Sequence, residues 1–383
     1  MKAAFKAGLF QIPIFRGLGG SSMKKCKLID ICTPKQWKTI PTSELMDSGY
    51  PVYGANGVIG YYRDYNHEKP TVTITCRGAT CGNINLTIPQ SYVTSNAMCL
   101  DNVDENVLVK YLYYAMRAFN FTKVISGSAQ PQITRENLQK VEICVYSIEK
   151  QSMIVNHLEA VERLIHNRKM QLEKLYELVQ SRFIELFGDM FLNSKGWPES
   201  RLDSVADIVS GITKGRKVKS VNVTEVPYMA VSNVKDGYID WTTVKTIEAT
   251  SQEIEQYRLM PDDVLMTEGG DPDKVGRGAI IKKPLDNCIH QNHIFRVRLD
   301  ESVILPGFFA EYLQHQRSKR YFLGCAKQTT GIASINMKQL RALPVLVPPL
   351  SDQEQFVSFV TKVDKSKLSV LLLWKNHGYY LVI

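Results

Sequence analysis

The 383-residue sequence has no CxxC pair, and its eight cysteines, Cys26, Cys32, Cys76, Cys81, Cys99, Cys144, Cys288 and Cys325, share no recurring spacing. That argues against a zinc ribbon and against a disulfide framework, and leaves reduced thiols as the simplest reading. His290 and His293 form an HxxH that reads as polar loop or strand residues, and no metal is expected. No stretch approaches the roughly 18 consecutive apolar residues of a membrane-spanning helix. A soluble, cytoplasmic chain is the expectation.

Catalytic signatures are missing as well. Nothing matches GxxxxGK[ST], and "GRGAII" at Gly276 lacks the spacing of a dinucleotide-binding loop. "VPPL" at Val347 lacks the polar residue with which amino-methyltransferases hold a flipped base, and reads as a helix start. "PDDVLMTEGG" at Pro261 offers the acids of many nucleases, but two glycines rather than a lysine follow Glu268, so a metal-bound water would lack its usual orienting partner. A nucleophile elbow is absent too. The pattern is that of a binding protein with no catalytic residue of its own.

What is present begins with composition. A 44% hydrophobic, 22% charged chain is globular, and 47 basic against 38 acidic residues give a net charge of +9 that suits a polyanionic partner. Residues 1–22, "MKAAFKAGLFQIPIFRGLGGSS", read as a disordered leader or as sequence upstream of a true start at Met23.

The chain then says nearly the same thing twice. One constant shift pairs Ile133 with Ile335, Leu138 with Leu340, Val141 with Leu343, Ile143 with Val345, Val145 with Val347 and Gln151 with Gln353. Upstream, "KCKLIDIC" at Lys25 echoes "ESRLDSVADI" at Glu199, and "TVTITCRGATCGNI" at Thr71 echoes "DVLMTEGGDPDKVGRGAII" at Asp263. A period this long is a duplicated domain and not a solenoid. The loops agree less well: "YPVYGANGVIGYY" at Tyr50 has only a loose partner in "VPYMAVSNVKDGYIDW" at Val226.

Between the copies, Ile154, Leu158, Val161, Ile165, Leu172, Leu175, Val179 and Leu186 follow one another at heptad spacing, broken only by Arg168 and Arg182. A helix from 149 to 187 would run roughly 55 to 60 Å, too long for the core of a compact domain, so it needs a partner helix or is a rigid spacer. The second copy starts the same helix with Phe356, Val360 and Val363, then puts Lys367 on the seam. The spacing predicts that it breaks off after Val370, with an altered or truncated end.

Sequence readout of duplex nucleic acid needs Arg, Lys, Asn, Gln or Thr on loops of a rigid body. Such loops occur in both copies, and the candidate contacts are Arg77, Asn83, Gln130, Gln132, Lys214, Arg216, Lys217, Lys274, Arg277 and Gln328. The aromatics of "YLYYAMRAFNF" at Tyr111 recur at helical spacing and read as core.

With "PVYGANGVIGYY" at Pro51, "MPDDVLMT" at Met260, "INMKQLRALPVLVPPLSDQEQ" at Ile335 and "QSRFIELFGDMF" at Gln180, the order domain, helix, domain, helix resembles the specificity subunit of type I restriction-modification systems over about residues 23–369. That resemblance implies an α/β (α+β) chain with a pseudo-twofold internal repeat. Target recognition domains would span 23–148 and 191–350, and spacer helices 149–190 and 351–383. Each domain would read half of a split double-stranded DNA site. The helices would pair antiparallel, and the seam residues above would also dock two modification subunits. Those subunits, with restriction subunits, would bring S-adenosylmethionine, ATP and Mg2+, leaving no cofactor in this chain. Two other readings stay open on the residues alone: a self-contained methyltransferase or nuclease, and a coiled-coil scaffold that binds only protein.

Overall fold

The computed structural model describes residues 23–127, 130–216, 222–271, 275–329 and 332–375. Residues 1–22, Lys217, Lys274 and the final residues 376–383 lie outside the described residues. Two compact units divide the chain, with the boundary between Lys169 and Met170.

The first unit contains β1 (Lys24–Lys27), α1 (Leu28–Ile31), β2 (Thr33–Gln36), β3 (Tyr50–Gly54), β4 (Gly57–Tyr62), β5 (Val72–Thr75), β6 (Ile84–Leu86), β7 (Tyr92–Val93), β8 (Ala97–Asp101), α2 (Val109–Ala118), α3 (Arg135–Leu138) and β9 (Glu142–Val145), and then enters α4 (Ile148–Phe187). A four-stranded sheet of order β2-β8-β5-β6 stands beside a three-stranded one of order β4-β3-β7, and β1 pairs with β9. The two inner strands of the larger sheet, β5 "VTIT" and β8 "AMCLD", are buried almost throughout, as strands covered on both faces must be. Tyr111, Leu112, Ala115 and Met116 form the apolar stripe of α2 and pack into the same core, so the tyrosines here are structural.

The second unit repeats this plan. Its strands are β10 (Glu199–Arg201), β11 (Ala206–Ser210), β12 (Thr224–Met229), β13 (Lys245–Ala249), β14 (Val264–Thr267), β15 (Gly269–Gly270), β16 (Gly278–Ile280), β17 (Ile289–His290), β18 (Ile294–Leu299), β19 (Lys327–Thr329), β20 (Ile332–Ser334) and β21 (Pro344–Leu346). Its helices are α5 (Ser251–Tyr257), α6 (Pro306–Gln314), α7 (Gln316–Cys325), α8 (Met337–Arg341) and α9 (Leu350–Lys375). The sheet orders β11-β18-β14-β16 and β13-β12-β17, with β10 paired to β21, match those of the first unit strand for strand. In both small sheets the first neighbour is antiparallel and the second parallel.

The equivalence reaches single bonds. Leu28 N–H donates to the Val141 carbonyl at 2.8 Å, and Leu202 N–H to that of Leu343 at 3.0 Å. Reciprocal capping boxes start α3, from Thr134 and Asn137, and α8, from Asn336 and Gln339. Insertions account for the poor match of the loops. A tight hairpin joins β3 to β4, with Gly57 at φ +111°, whereas residues 230–244 intervene between β12 and β13.

Helix α4 is continuous over 40 residues. Its opening turns belong to the first unit, where Ile154 and Val155 are buried, Leu158 packs against the same core, and Glu159 and Glu162 accept from Lys110 and from Tyr114 and Arg117. Its closing turns belong to the second unit and pair with α9. There the Phe187 and Phe356 rings lie 5.6 Å apart, Arg182 sits 5.9 Å from the Phe359 ring and Lys367 4.2 Å from that of Tyr176. As one helix descends the other climbs, so they run antiparallel. α9 does not end after Val370 but continues to Lys375. Lys367 breaks the apolar seam without breaking the helix, because a lysine can lie along the partner helix and rest its ammonium on a ring. No helix among the described residues is long and apolar enough to cross a membrane.

Candidate nucleic-acid interface

In the first unit the loops "CRGATCGNINL" and "SGSAQPQITR" come together. Arg77, just past β5, forms an antiparallel bridge with Gln132, which bridges Ser126 on its other side. Gly78 N–H donates to the Pro131 carbonyl at 3.1 Å and Ile133 N–H to that of Cys76 at 2.9 Å. The loops are therefore a small hydrogen-bonded platform, able to hold side chains in place before any ligand arrives. It borders a cleft of about 510 Å³ on which Arg77, Gln132, Lys35, Gln36 and Arg135 converge, all five exposed. Gln36 is positioned by a 2.8 Å bond to the Ser95 carbonyl, and the Lys35 ammonium lies 3.6 Å from the Trp37 ring. Three cations and two primary amides lining one cleft, with the Glu136 carboxylate as its one anion, can bind phosphates and present bidentate donor and acceptor pairs.

The remaining candidates fare differently. Gln130 is exposed on the same loop. Asn83 is half-buried, its Nδ2 3.3 Å from Asn56 Oδ1, which ties it to the β3–β4 hairpin. Lys35, Gln36 and Arg135 escaped the sequence reading because β2 passes for a core strand and Arg135 for a helix residue. Their only signal is a charged or amide side chain in or near polar segments.

The second unit builds the same platform as a three-stranded sheet of order β15-β20-β19. Gly269 and Lys327 both stand opposite Ser334, as Arg77 and Ser126 stand opposite Gln132. Gln328 lies on β19, and Lys214 is exposed on the loop after β11. Arg277 is half-buried and its Nε has no hydrogen-bond partner in the protein. Arg216 is no free reader: Nε and Nη2 grip the Glu253 carboxylate at 2.7 Å each, and Nη2 also reaches the Glu248 carbonyl at 3.0 Å. That grip holds the Glu253 carboxyl down at about 2. Arg216 fastens its loop to α5.

By strand register, Arg77 of the first unit is equivalent in position to Gly269 of the second, Gln132 to Ser334, Lys35 to Val209 and Gln36 to Ser210. The same scaffold thus presents two unlike surfaces. The acids of "PDDVLMTEGG" are separately engaged: Asp262 with Lys282 at 2.8 Å, buried Asp263 with Arg298 at 2.8 and 2.9 Å, and Glu268 with His293 at 2.5 Å. Asp263 serves the fold, since the same carboxylate also accepts from Met260 N–H at 2.7 Å.

On the helices, Val179, Phe356 and Val363 are buried in one core, against which Leu175, Leu186 and Val360 pack. Val161, Ile165 and Leu172 are half-buried. Missed in the sequence were Phe183 and Phe187, whose rings meet those of Phe308 and Phe356. Their spacing of four residues in "RFIELF" was the available signal.

A duplicated mixed α/β unit joined through one long helix is the architecture of a known class. The family model for the type I restriction modification DNA specificity domain matches residues 21–174 and again 194–370, and the chain belongs to that family. It is similar to the specificity subunit of the type I restriction enzyme EcoprrI of Escherichia coli, with 30% identity over 118 residues, 31% of this chain and 29% of the relative. The specificity subunit of StySPI from Salmonella potsdam is 23% identical over 304 residues, 75% of this chain and 61% of the relative. The matched stretches span less than two thirds of either. In fold, the chain resembles the crystal structure of a type I restriction-modification S subunit from M. genitalium, with a TM-score of 0.61 at 16% identity, covering 94% of this chain and 93% of that one.

Proposed function

We propose that this protein is the non-catalytic specificity subunit of a type I restriction-modification complex and selects a bipartite duplex DNA target. Each unit reads one half. The observation that carries this is the cleft of the first unit, where Arg77, Gln132, Lys35, Gln36 and Arg135 converge on a loop platform that recurs, with other side chains, in the second. Two matched scaffolds with unlike surfaces suit a target whose halves differ, and α4 acts as the spacer that sets the unread gap. The antiparallel α4–α9 pair offers the surface on which modification subunits dock, and restriction subunits join through them. S-adenosylmethionine, ATP and Mg2+ are held by those partners. The test is binding of the full chain, with modification subunits, to its duplex across a salt series: log affinity falls steeply against log salt concentration. A flat response would instead favour a scaffold that binds only protein.

A further inference from the structure

Strand β8 divides two environments in the first unit. Met98 and Leu100 face the main core, whereas Ala97 and Cys99 face a small second cluster with Tyr53, Val93 and Trp37. Asp101, two residues on, lies on that second face. There a ring nitrogen of His67, the Cys99 sulfur and a carboxylate oxygen of Asp101 all lie within 4.8 Å of one another. Cys99 is fully buried, and the side chains of His67 and Asp101 are only 9% and 12% exposed.

The outward-facing atoms of these groups are already engaged. His67 Nδ1 is 2.6 Å from Asn66 Oδ1, and that amide cannot turn, because its Oδ1 also accepts from Val93 N–H at 2.9 Å while its Nδ2 donates to the Val93 carbonyl at 3.0 Å. Nδ1 therefore carries a proton and donates it. Asp101 Oδ2 accepts from the Trp37 indole at 2.9 Å. What remains, aimed inward, is His67 Nε2, Asp101 Oδ1 at 3.0 Å from it, and the thiol. Ligating histidines and carboxylates are oriented in this way by partners on their remote atoms.

The second unit meets the same position differently. Register places Arg296 and Arg298 where the first has Cys99 and Asp101, and each arginine has its own carboxylate, Asp207 and Asp263. Its face is neutralised by fixed ion pairs, whereas that of the first unit keeps three convergent ligand atoms.

We infer that His67, Cys99 and Asp101 bind one thiophilic divalent transition metal ion, Zn2+ or its like, which ties the loop before β5 to β8. Sulfur, imidazole and carboxylate are the donors such an ion takes, with a fourth position left for water. Binding releases two protons: one from between Nε2 and Oδ1, one from the thiol. The site is neutral before and after. A directly bound cation is what ionises a buried thiol of this kind.

The test titrates the full chain, reduced and stripped with a chelator, with Co2+ as a coloured substitute for Zn2+. One equivalent raises an intense near-ultraviolet thiolate-to-cobalt band, which Zn2+ abolishes. The band is lost in Cys99→Ser and kept in Cys325→Ser. His67→Gln, which spares the thiol, lowers Co2+ affinity at least about tenfold and decides the matter should Cys99→Ser fail to fold. Absence of the band in the parent chain, its survival in folded Cys99→Ser, or unchanged affinity in His67→Gln overturns the inference and leaves a buried pair that shares only a proton.

Discussion

Gln151 and Gln353 hold the same place in the two units and make the same three bonds. Gln151 Oε1 accepts from Leu108 N–H at 2.8 Å, while Nε2 donates to the carbonyls of Asn106 and Tyr146 at 2.7 and 2.8 Å. Gln353 Oε1 accepts from Leu305 N–H at 2.9 Å, and Nε2 donates to the carbonyls of Val303 and Pro348 at 3.0 and 2.8 Å. Both amides are fully buried in the opening turns of a long helix and bind backbone that precedes α2 or α6. Each fastens the opening turns of its helix to that backbone.

Removing either amide strands one N–H and two carbonyls out of water. Gln151→Ala or Gln353→Ala is expected to lower stability by about 2–4 kcal/mol, read from urea unfolding. A loss below about 0.5 kcal/mol would mean that water replaces the amide.

At the cleft, Arg77→Ala and Arg135→Ala together are expected to flatten the salt dependence of duplex binding by about 2 units of log-log slope. Gln132→Ala should instead weaken discrimination among duplexes with little change in slope. Unaltered slopes in the double variant would place the phosphate contacts elsewhere.

His290 is buried between the carbonyls of Tyr257 and Val209, and burial lowers its pKa to about 4. In the unfolded chain it titrates near about 6.5. The unfolded state therefore takes up the proton first, so the neutral ring favours the fold above that value, and this contribution is lost as pH falls from about 6.5 to 4. Unfolding curves of His290→Gln should lack that component of acid destabilisation.

The pair Arg216–Glu253 acts at lower pH. The arginine's hydrogen bonds hold Glu253 at about 2 against an ordinary value of 4.5, so its contribution is complete above 4.5 and is lost as pH falls toward 2. Arg216→Ala should reduce the pH dependence of stability in that window, to which other carboxylates such as Asp203, Asp240 and Asp300 also contribute, and leave the His290 window intact. A variant whose slope in the lower window equals that of the parent would show that the pair is not formed in solution.

Much of this architecture was legible because duplication writes the core twice. Ile133 with Ile335, Leu138 with Leu340 and Val141 with Leu343 are buried at corresponding points, and apolar spacing is what burial selects. The heptad positions of α4 were legible for the same reason. The site was read less well. Arg77 and Gln132 stood out as polar residues on loops, but convergence of Lys35, Gln36 and Arg135 depends on strand pairing across distant sequence, which a local pattern does not encode. The Arg216–Glu253 pair was not legible, because an arginine on a loop looks alike in sequence whether it faces solvent or grips a glutamate 37 residues away. Lys367 misled, its charge reading as the end of a seam where the helix simply continues.

The central claim is that each unit independently chooses one half of the target. Replacing residues 200–350 with the same region of another family member and mapping methylated adenines in cells that supply the partner subunits tests it most directly. The expected result is a new sequence in one half-site, with the other half and the gap unchanged. A change in both halves, or in neither, would contradict the account.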